Sequence, residues 1–584
     1  MPDSRERCLA ELLDFIANEQ RAGTERLLGI WERPLAEKLQ TGWTQCFDRL
    51  ERGDERDTVR VWFREGEARF REGDLLLLHT GNPIDDLLAR GLTFESELED
   101  HWVLRGRQPL DALLSAYEGG ELFADADTLD LTGYYRRAIE EIGTTQIGRE
   151  IVLPLLSRDL EPTFVTADVD EGARIAKSRH FNDKQAEAVG LAFGAEQLAC
   201  IQGPPGTGKS SVLALVARLM VERGDRVLLT SHTHMAINNA LNKIAPENVP
   251  VVKIGLRSQC KALDPQVRFH EAIAAWSERP ERGYVIGATP FATCTARLEA
   301  CEFDTILFDE ASQVTVPLAL MAMRKGKRFI FVGDQQQLPP VMLSRSVLDK
   351  GSMSAFARLV ADASDHSVML DETYRMSRWL TAWPSKTYYG ERLRSIGDNR
   401  ERRLQLRTVP DRFTQVFAPA SPGVFIPTRD RASRTQSQGD AQLVADLCTT
   451  AVAGGLPPSE IGVVTPYRAQ GKAVRTLLDA EFGNRTARTI VADTVERMQG
   501  QERELVILSL VSGDEVFLSA VAEFFFQPQR LNVSITRAKS KLIVIGPEPA
   551  AVPVLEPPHL KEWIAQYLDF LRQLTRIEIP ETGS

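Results

Sequence analysis

The stretch 198–220, LACIQGPPGTGKSSVLALVARLM, constrains this chain more than any other. Its opening apolar run reads as a buried strand, the glycine-rich centre as a turn and the second apolar run as a helix, the setting in which G-x-x-x-x-G-K-[ST] carries meaning. Glycines let backbone N–H groups converge on phosphate oxygens, and the helix N-terminus adds its dipole. Gly203, Pro204, Pro205, Gly206, Thr207, Gly208, Lys209, Ser210 and Ser211 thus read as a cradle for ATP, with Lys209 at the β and γ phosphates and Ser210 offering its hydroxyl to Mg2+. A strand feeding such a loop belongs to an α/β layer fold.

The surrounding grammar agrees. Short apolar runs at 198–201, 226–230, 284–287, 305–308 and 328–332 alternate with helical or turn segments, as buried parallel strands do. A second series starts near Val368 and continues at 461–465, 489–492, 505–510 and 541–545, which predicts two α/β domains. In the first, TILFDEASQ carries Asp309 and Glu310 to the carboxyl edge of a strand, where ligands of open α/β sheets sit. One carboxylate suits hydrated Mg2+, for which Ser210 and Asp309 are the candidates. The other, Glu310, suits orienting and deprotonating a water. FIFVGDQQQLPP brings Asp334 and Gln337 to the same edge.

Outside these domains the signals are coarser. Leu9, Leu12, Leu13, Ile16, Leu27, Leu28, Trp31, Leu35 and Leu39 recur at helical spacing, so residues 1–55 read as helices. From Thr58 alternating runs broken by Gly66, Gly73 and Gly81 predict a small β-barrel over 56–112. Residues 113–180 read as a helical connector interrupted by Pro154 and Pro162, residues 396–439 as loop, and 551–584 as a helix whose stripe of Leu560, Trp563, Ile564, Tyr567, Leu568 and Leu571 docks on the core. The net charge of −11 excludes attraction of a polyanion to the whole surface but not to a local groove. Seven scattered cysteines without a C-x-x-C pair support neither a disulfide framework nor a zinc site. No window approaches the roughly 18 uncharged apolar residues of a membrane span, and the N-terminal MPDSRERCLAEL lacks a signal-sequence pattern, so a cytoplasmic location is expected.

Taken in order, the P-loop, the Asp-Glu strand, the GDxxQLPP strand and a second α/β domain with TYR and SITRAK resemble superfamily 1 helicases. Residues 181–546 resemble the branch that contains the nonsense-mediated-decay helicase and the immunoglobulin-mu-binding helicase. The resemblance implies two RecA-like parallel-sheet domains, at 181–362 and 363–550, with the N-terminal helices as a stalk and the barrel as an insertion. FNDKQ resembles the family's adenine-reading motif and makes Gln185 the base-specifying residue. VMLDETYRM resembles the first motif of the second domain, implying Tyr374 stacked on adenine and Arg375 on the γ phosphate. VERMQGQE, ending at Glu502, resembles the segment that couples ribose and phosphate to the nucleic-acid track, and RLNVSITRAK implies Arg537 as a second arginine finger.

Arginines supplied across a cleft stabilise the spread charge of a transferring phosphoryl group only when the cleft is closed. Lys209, Glu310, Gln337, Arg375 and Arg537 are therefore the expected catalytic set. Thr233, Thr289, Tyr467, Arg468 and Thr494 fall where the family grips nucleic acid; as lone residues they read equally well as strand-end caps or loop residues. His232 and His234 alternate on an extended segment and point away from a shared metal. The chain departs from the family at SHTH in the first strand-gripping motif, at Ser-Arg-Trp after Met376, and at Glu496 and Met498. These departures spare the phosphate chemistry and touch strand affinity. The expected activity is an ATP- and Mg2+-dependent translocase on single-stranded DNA or RNA, running 5′ to 3′. The competing class is a nucleotide-gated switch or assembly subunit that never unwinds, separable by whether single strands stimulate hydrolysis.

Overall fold

In the computed structural model, which describes residues 4–63, 70, 73–98, 100–344, 353–360, 365–547 and 558–579, a long helix leads into a barrel and then into two parallel sheets. The helix Ser4–Trp31 buries Cys8, Leu12, Phe15 and Ile16 against the first-sheet domain, and the short helix Leu35–Thr41 ends at Gly42, whose φ of 73° makes the left-handed cap.

Six antiparallel strands close the barrel: β1 (Thr44–Arg52), β2 (Thr58–Phe63), β3 (Leu75–His79), β4 (Leu87–Glu97), β5 (His101–Arg105) and β6 (Leu122–Ala126), in the order β1-β2-β5-β4-β3-β6. Two of them correct the sequence reading. β1 lies in the region expected to be helical because Asp48, Arg49, Glu51 and Arg52 obscure its period of two. β6 falls in the expected helical connector because Asp125 interrupts its apolar run. That aspartate is fully buried and pairs with buried Lys38 at 2.5 Å, so a charge that reads as surface belongs to the interior. The turn expected at Gly66 lies outside the described residues.

The first sheet is all parallel, with order β10-β9-β11-β8-β12-β13-β7-β14. Its strands are β7 (Leu198–Gln202), β8 (Arg226–Thr230), β9 (Val251–Ile254), β10 (Arg268–His270), β11 (Tyr284–Gly287), β12 (Thr305–Phe308), β13 (Arg328–Gly333) and β14 (Ser367–Met369). β14 corrects the expectation that Val368 opens the second domain: it pairs with β7, Val368 opposite Ile201, and hands the chain over from the first sheet. The expected boundary at 362–363 itself lies outside the described residues. A two-stranded link, β15 (Glu372–Thr373) and β16 (Arg394–Ser395), flanks the crossing.

The second sheet, also parallel, has order β19-β18-β20-β21-β17-β22, from β17 (Gly423–Thr428), β18 (Ile461–Thr465), β19 (Val491–Thr494), β20 (Arg503–Ser509), β21 (Ala538–Pro547) and β22 (Thr575–Arg576). β17 corrects the reading of 396–439 as loop, where the polar residues around a six-residue strand hid it. The helix Pro558–Gln573 buries Leu560, Ile564, Tyr567, Phe570 and Leu571 in the second domain's core, and β22 then joins that sheet, so this segment is part of the domain; residues 551–557 and 580–584 of the predicted C-terminal unit lie outside the described residues.

Candidate active site

β7 ends in the glycine-rich turn, and the helix Lys209–Glu222 starts directly from it. Gly206 and Gly208 take φ of 74° and 86°, the left-handed region that a side chain disfavours. Thr207 Oγ1 donates to the Pro204 carbonyl at 2.8 Å, and Lys209 Nζ donates to the Gly203 carbonyl, so the ammonium folds back over the turn. Gln185, in the first turn of the helix Asp183–Gly194, belongs to a capping box with Asn182. Its Nε2 donates to the Thr207 carbonyl at 3.0 Å, which brings Gln185 against the loop.

The crossing segment closes the other side. Thr373 Oγ1 donates to the Pro205 carbonyl and Tyr374 N to the Gly206 carbonyl, both at 2.8 Å. Asn182 Nδ2 donates to the Tyr374 hydroxyl at 3.0 Å, so Gln185 and Tyr374 share one end of the cradle, with Tyr374 43% exposed. Asn182 and Thr373 were not singled out from the sequence; their only signal was proximity to motif residues.

Asp309 and Glu310 follow β12. Burial, with the Glu310 charge added, holds the Asp309 carboxyl well above its usual range despite Lys209. Glu310 sits at φ 49°, an uncommon conformation for a non-glycine residue, and its Oε2 accepts from Gln499 Nε2 of the second domain at 3.2 Å. Gln337 is buried and donates from Nε2 to Asp334 Oδ2 at 2.9 Å. From the second domain, Arg375 Nε donates to Glu502 at 2.6 Å and Nη1 to the Thr536 carbonyl at 3.1 Å. Arg537 is 1% exposed, with Nε donating to the Val533 carbonyl at 2.8 Å; burial, then the Arg375 cation, push it down to about 9, while Glu310 pulls the other way. Burial raises the Glu502 carboxyl, but Arg375 and Lys539 outweigh it and hold the group below its usual range. Lys209, Glu310, Gln337, Arg375, Arg537 and Glu502 therefore gather at one seam between the sheets. Ser210 is exposed at the start of its helix, and Ser211 follows it.

The five strand-gripping candidates occupy strand ends farther along the same carboxyl edges. Thr233 caps the helix His234–Ile244, its Oγ1 accepting from Ala236 N at 3.2 Å. Thr289 follows β11 and precedes a short 3-10 turn. Tyr467 follows β18 and stacks on Phe524 at 5.9 Å between ring centroids and 29° between planes, with Arg468 next at the start of a helix. Thr494 ends β19 and is buried. Phe524, 37% exposed with the Arg530 guanidinium 3.8 Å over its ring, was missed because it stands in an apolar stretch, AEFFFQ, that reads as core.

Two family models described as AAA domain match residues 180–392 and 352–549. The chain is 30% identical over 412 residues to the mouse (Mus musculus) "DNA replication ATP-dependent helicase/nuclease DNA2", covering 65% of this chain and 38% of that protein. To the Saccharomyces cerevisiae protein of the same name it is 28% identical over 435 residues, 68% of this chain and 28% of that one. To the Schizosaccharomyces pombe "DNA polymerase alpha-associated DNA helicase A" it is 26% identical over 468 residues, 68% and 67% of the two chains. The chain thus spans well under half the length of the DNA2 relatives it matches.

Proposed function

We propose, for a chain that belongs to the superfamily 1 helicases of the DNA2 and nonsense-mediated-decay type, that it hydrolyses ATP between its two RecA-like domains to move 5′ to 3′ along single-stranded nucleic acid. The observation that carries this reading is the convergence of Arg375 and Arg537 on the seam that holds Glu310, with Gln499 Nε2 reaching the Glu310 carboxylate at 3.2 Å across it. Groups on one domain are thereby completed by groups on the other, so a nucleotide bound there acts as the ligand that closes the pair.

Glu310 is the base that takes a proton from the attacking water, and Gln337 orients that water near Asp334. Lys209, Arg375 and Arg537 supply positive charge where it develops on the phosphoryl oxygens. Gln185 and Tyr374 bracket the adenine. The residues fit Mg2+: Asp309 is a buried carboxylate beside a second one, and burial together with the Glu310 charge outweighs the nearby Lys209 cation at this position. Ser210 Oγ and the Asp309 carboxylate would hold the ion, which when bound polarises the β and γ phosphate oxygens.

Thr233, Thr289, Tyr467, Arg468 and Thr494 form the track. Hydroxyls and an aromatic platform suit phosphates and bases without sequence preference, which leaves DNA and RNA both as substrates. The long helix Ser4–Trp31 and the barrel serve as the stalk and its insertion. The switch reading is set aside because the relatives matched over most of this chain are named helicases. Among the described residues no helix is long and apolar enough to cross a membrane; a cytoplasmic location belongs to the proposal and rests on the sequence reading alone.

The test is ATP turnover with matched DNA and RNA oligomers, then unwinding of duplexes with 5′ or 3′ tails. Single-strand stimulation lost in Lys209→Ala, with the fold retained, supports the motor. Turnover indifferent to every single strand defeats it.

A further inference from the structure

The first-domain loop after β13 is joined to the second domain through a buried chain of hydrogen bonds. Asp334, 1% exposed, accepts from Gln202 Nε2 at 3.2 Å, Gln336 N at 3.2 Å, Gln337 Nε2 at 2.9 Å and the Tyr389 hydroxyl at 2.9 Å. Three of these donors belong to the first domain. Tyr389, 2% exposed, follows the helix Arg378–Tyr388 and packs in the second domain's apolar core together with Leu338 of the same loop. Its oxygen accepts in turn from Asn532 Nδ2 at 2.8 Å, and that amide also donates to the Gln336 carbonyl at 2.8 Å. Burial, with Asp334 beside it, holds the Tyr389 phenol well above its ordinary value, so it stays a neutral donor.

Asn532 lies on the helix Pro528–Ile535, which touches both functional faces. On one side Arg530 Nη1 meets Glu496, two residues past Thr494, at 2.6 Å, and covers the Phe524 ring stacked on Tyr467. At its end Thr536 accepts from Arg375, and Arg537 follows. A change on the strand-gripping face therefore reaches an eight-residue helix that also meets the ATP-site arginine and the Gln337 loop. Buried hydrogen bonds are directional and strong in low dielectric, so such a joint has discrete made and broken states.

We infer that Tyr389 and Asn532 are positioning residues that couple strand occupancy to hydrolysis by setting the orientation of Gln337 through Asp334. This rests on the motor reading above. The experiment compares single-strand-stimulated ATPase of the wild-type chain with Tyr389→Phe, Asn532→Ala, the double variant and Tyr388→Phe. The last is the control, because the Tyr388 hydroxyl has no hydrogen-bond partner among the described residues.

Tyr389→Phe is expected to lower stimulated kcat about tenfold, equivalent to about 1.4 kcal/mol, with the KM for ATP and the thermal midpoint near wild type. Asn532→Ala should do the same, and the double variant should lose no more than either alone, since both act through one chain. Tyr388→Phe should match wild type. Normal stimulation in Tyr389→Phe overturns the inference, as does a loss that tracks a fall in thermal midpoint or that Tyr388→Phe shares. A wild-type chain that no single strand stimulates overturns the motor reading, and this inference with it.

Discussion

Gly206 offers the sharpest test of whether the crossing segment and the P-loop form one machine. A Cβ built there would stand 2.4 Å from Arg375 Cβ and 2.6 Å from Thr373 Oγ1, at φ 74°. To reach the 3.4 Å of ordinary contact, the segment bearing Arg375 must retreat by about 1 Å. These atoms lie at or next to the backbone, and Tyr374 N already bonds the Gly206 carbonyl at 2.8 Å, so no flexible side-chain tip absorbs the movement. The left-handed conformation costs a side chain about 1–2 kcal/mol, and overpacking adds about 1–3 kcal/mol. Part of that strain is relieved by parting the seam, which carries Arg375 away from the phosphates. A displacement of about 1 Å costs on the order of 100-fold in turnover. Gly206→Ala should therefore retain nucleotide binding but hydrolyse ATP about 100-fold more slowly in single-turnover measurements. Gly208 supplies the contrast: at φ 86° its Cβ would meet, among the described residues, the Gln185 side chain, Nε2 at 2.6 Å and Cδ at 3.7 Å, an end that can swing. Gly208→Ala should weaken ATP binding more than it slows the chemistry. Turnover in Gly206→Ala within threefold of wild type would refute the argument, because it would show that Arg375 need not be held where the loop puts it.

Three other outcomes are expected. Glu310→Gln should bind ATP yet slow hydrolysis by about 10²–10⁴-fold, the usual worth of a positioned base; fast phosphate release in that variant would place the base elsewhere. Lys38→Met strands the buried Asp125 carboxylate and should cost about 3–5 kcal/mol, read as an earlier unfolding transition by calorimetry, and adding Asp125→Asn should recover part of it; an unshifted transition in the single variant would contradict the pairing. Asp440, buried at the start of the helix Gln438–Ala453, is pushed up to about 6 by burial and by the nearby Asp430 carboxylate against the Thr428 and Ser437 hydroxyls. The folded chain then binds this proton more tightly than the unfolded one, so its contribution to stability is fullest below pH 4 and is lost as pH rises to about 6. Asp440→Asn should flatten denaturant midpoints over that window, and a pH profile parallel to wild type would count against the assignment.

How much of this was legible in the residues depended on whether a signal was local. The P-loop and the Asp-Glu strand were readable because each is a short run whose neighbours fix its context, whereas the two arginines entered only through the resemblance to the helicase family. β1 and β6 were not, because the charges that hide their alternation are satisfied by partners far along the chain: Asp125 finds Lys38, 87 residues away. β14 misled for a related reason. Three residues in sequence next to the second domain pair with β7, a choice made by sheet order and not by composition. At the site, Gln185 was readable as a motif residue, but its contact with the Thr207 carbonyl was not, and Gln499 gave no hint that it reaches Glu310. Tyr389 carried no signal, and Asn532 carried only its place inside RLNVSITRAK: a buried tyrosine and a helical asparagine are common, and the hydrogen bond that joins them shows only where two domains meet.

Under the proposed function, the charges at the seam give closure a reason to need a nucleotide. Arg375 and Arg537 each press on the other, and Arg537, fully buried, keeps its proton less firmly than a solvated arginine does. Glu502 relieves this by pairing with Arg375 at 2.6 Å, and the Glu310 charge favours the Arg537 cation. Both carboxylates are thereby engaged by cations whose proposed task is to face phosphate oxygens. A triphosphate entering beside Lys209 brings more negative charge than Glu502 supplies, and it brings that charge to both arginines at once. On the proposed function, Arg375 would exchange one carboxylate for phosphate, Glu502 would be released toward Lys539, 3.8 Å away, and Glu310 would be left to act on water. Hydrolysis would reverse the exchange by dividing the anion. On this account the driving force for each domain movement is the difference between one carboxylate and one triphosphate as partner to the same guanidinium, which is why the acidic residue of the second domain belongs to the mechanism as much as the arginine it holds.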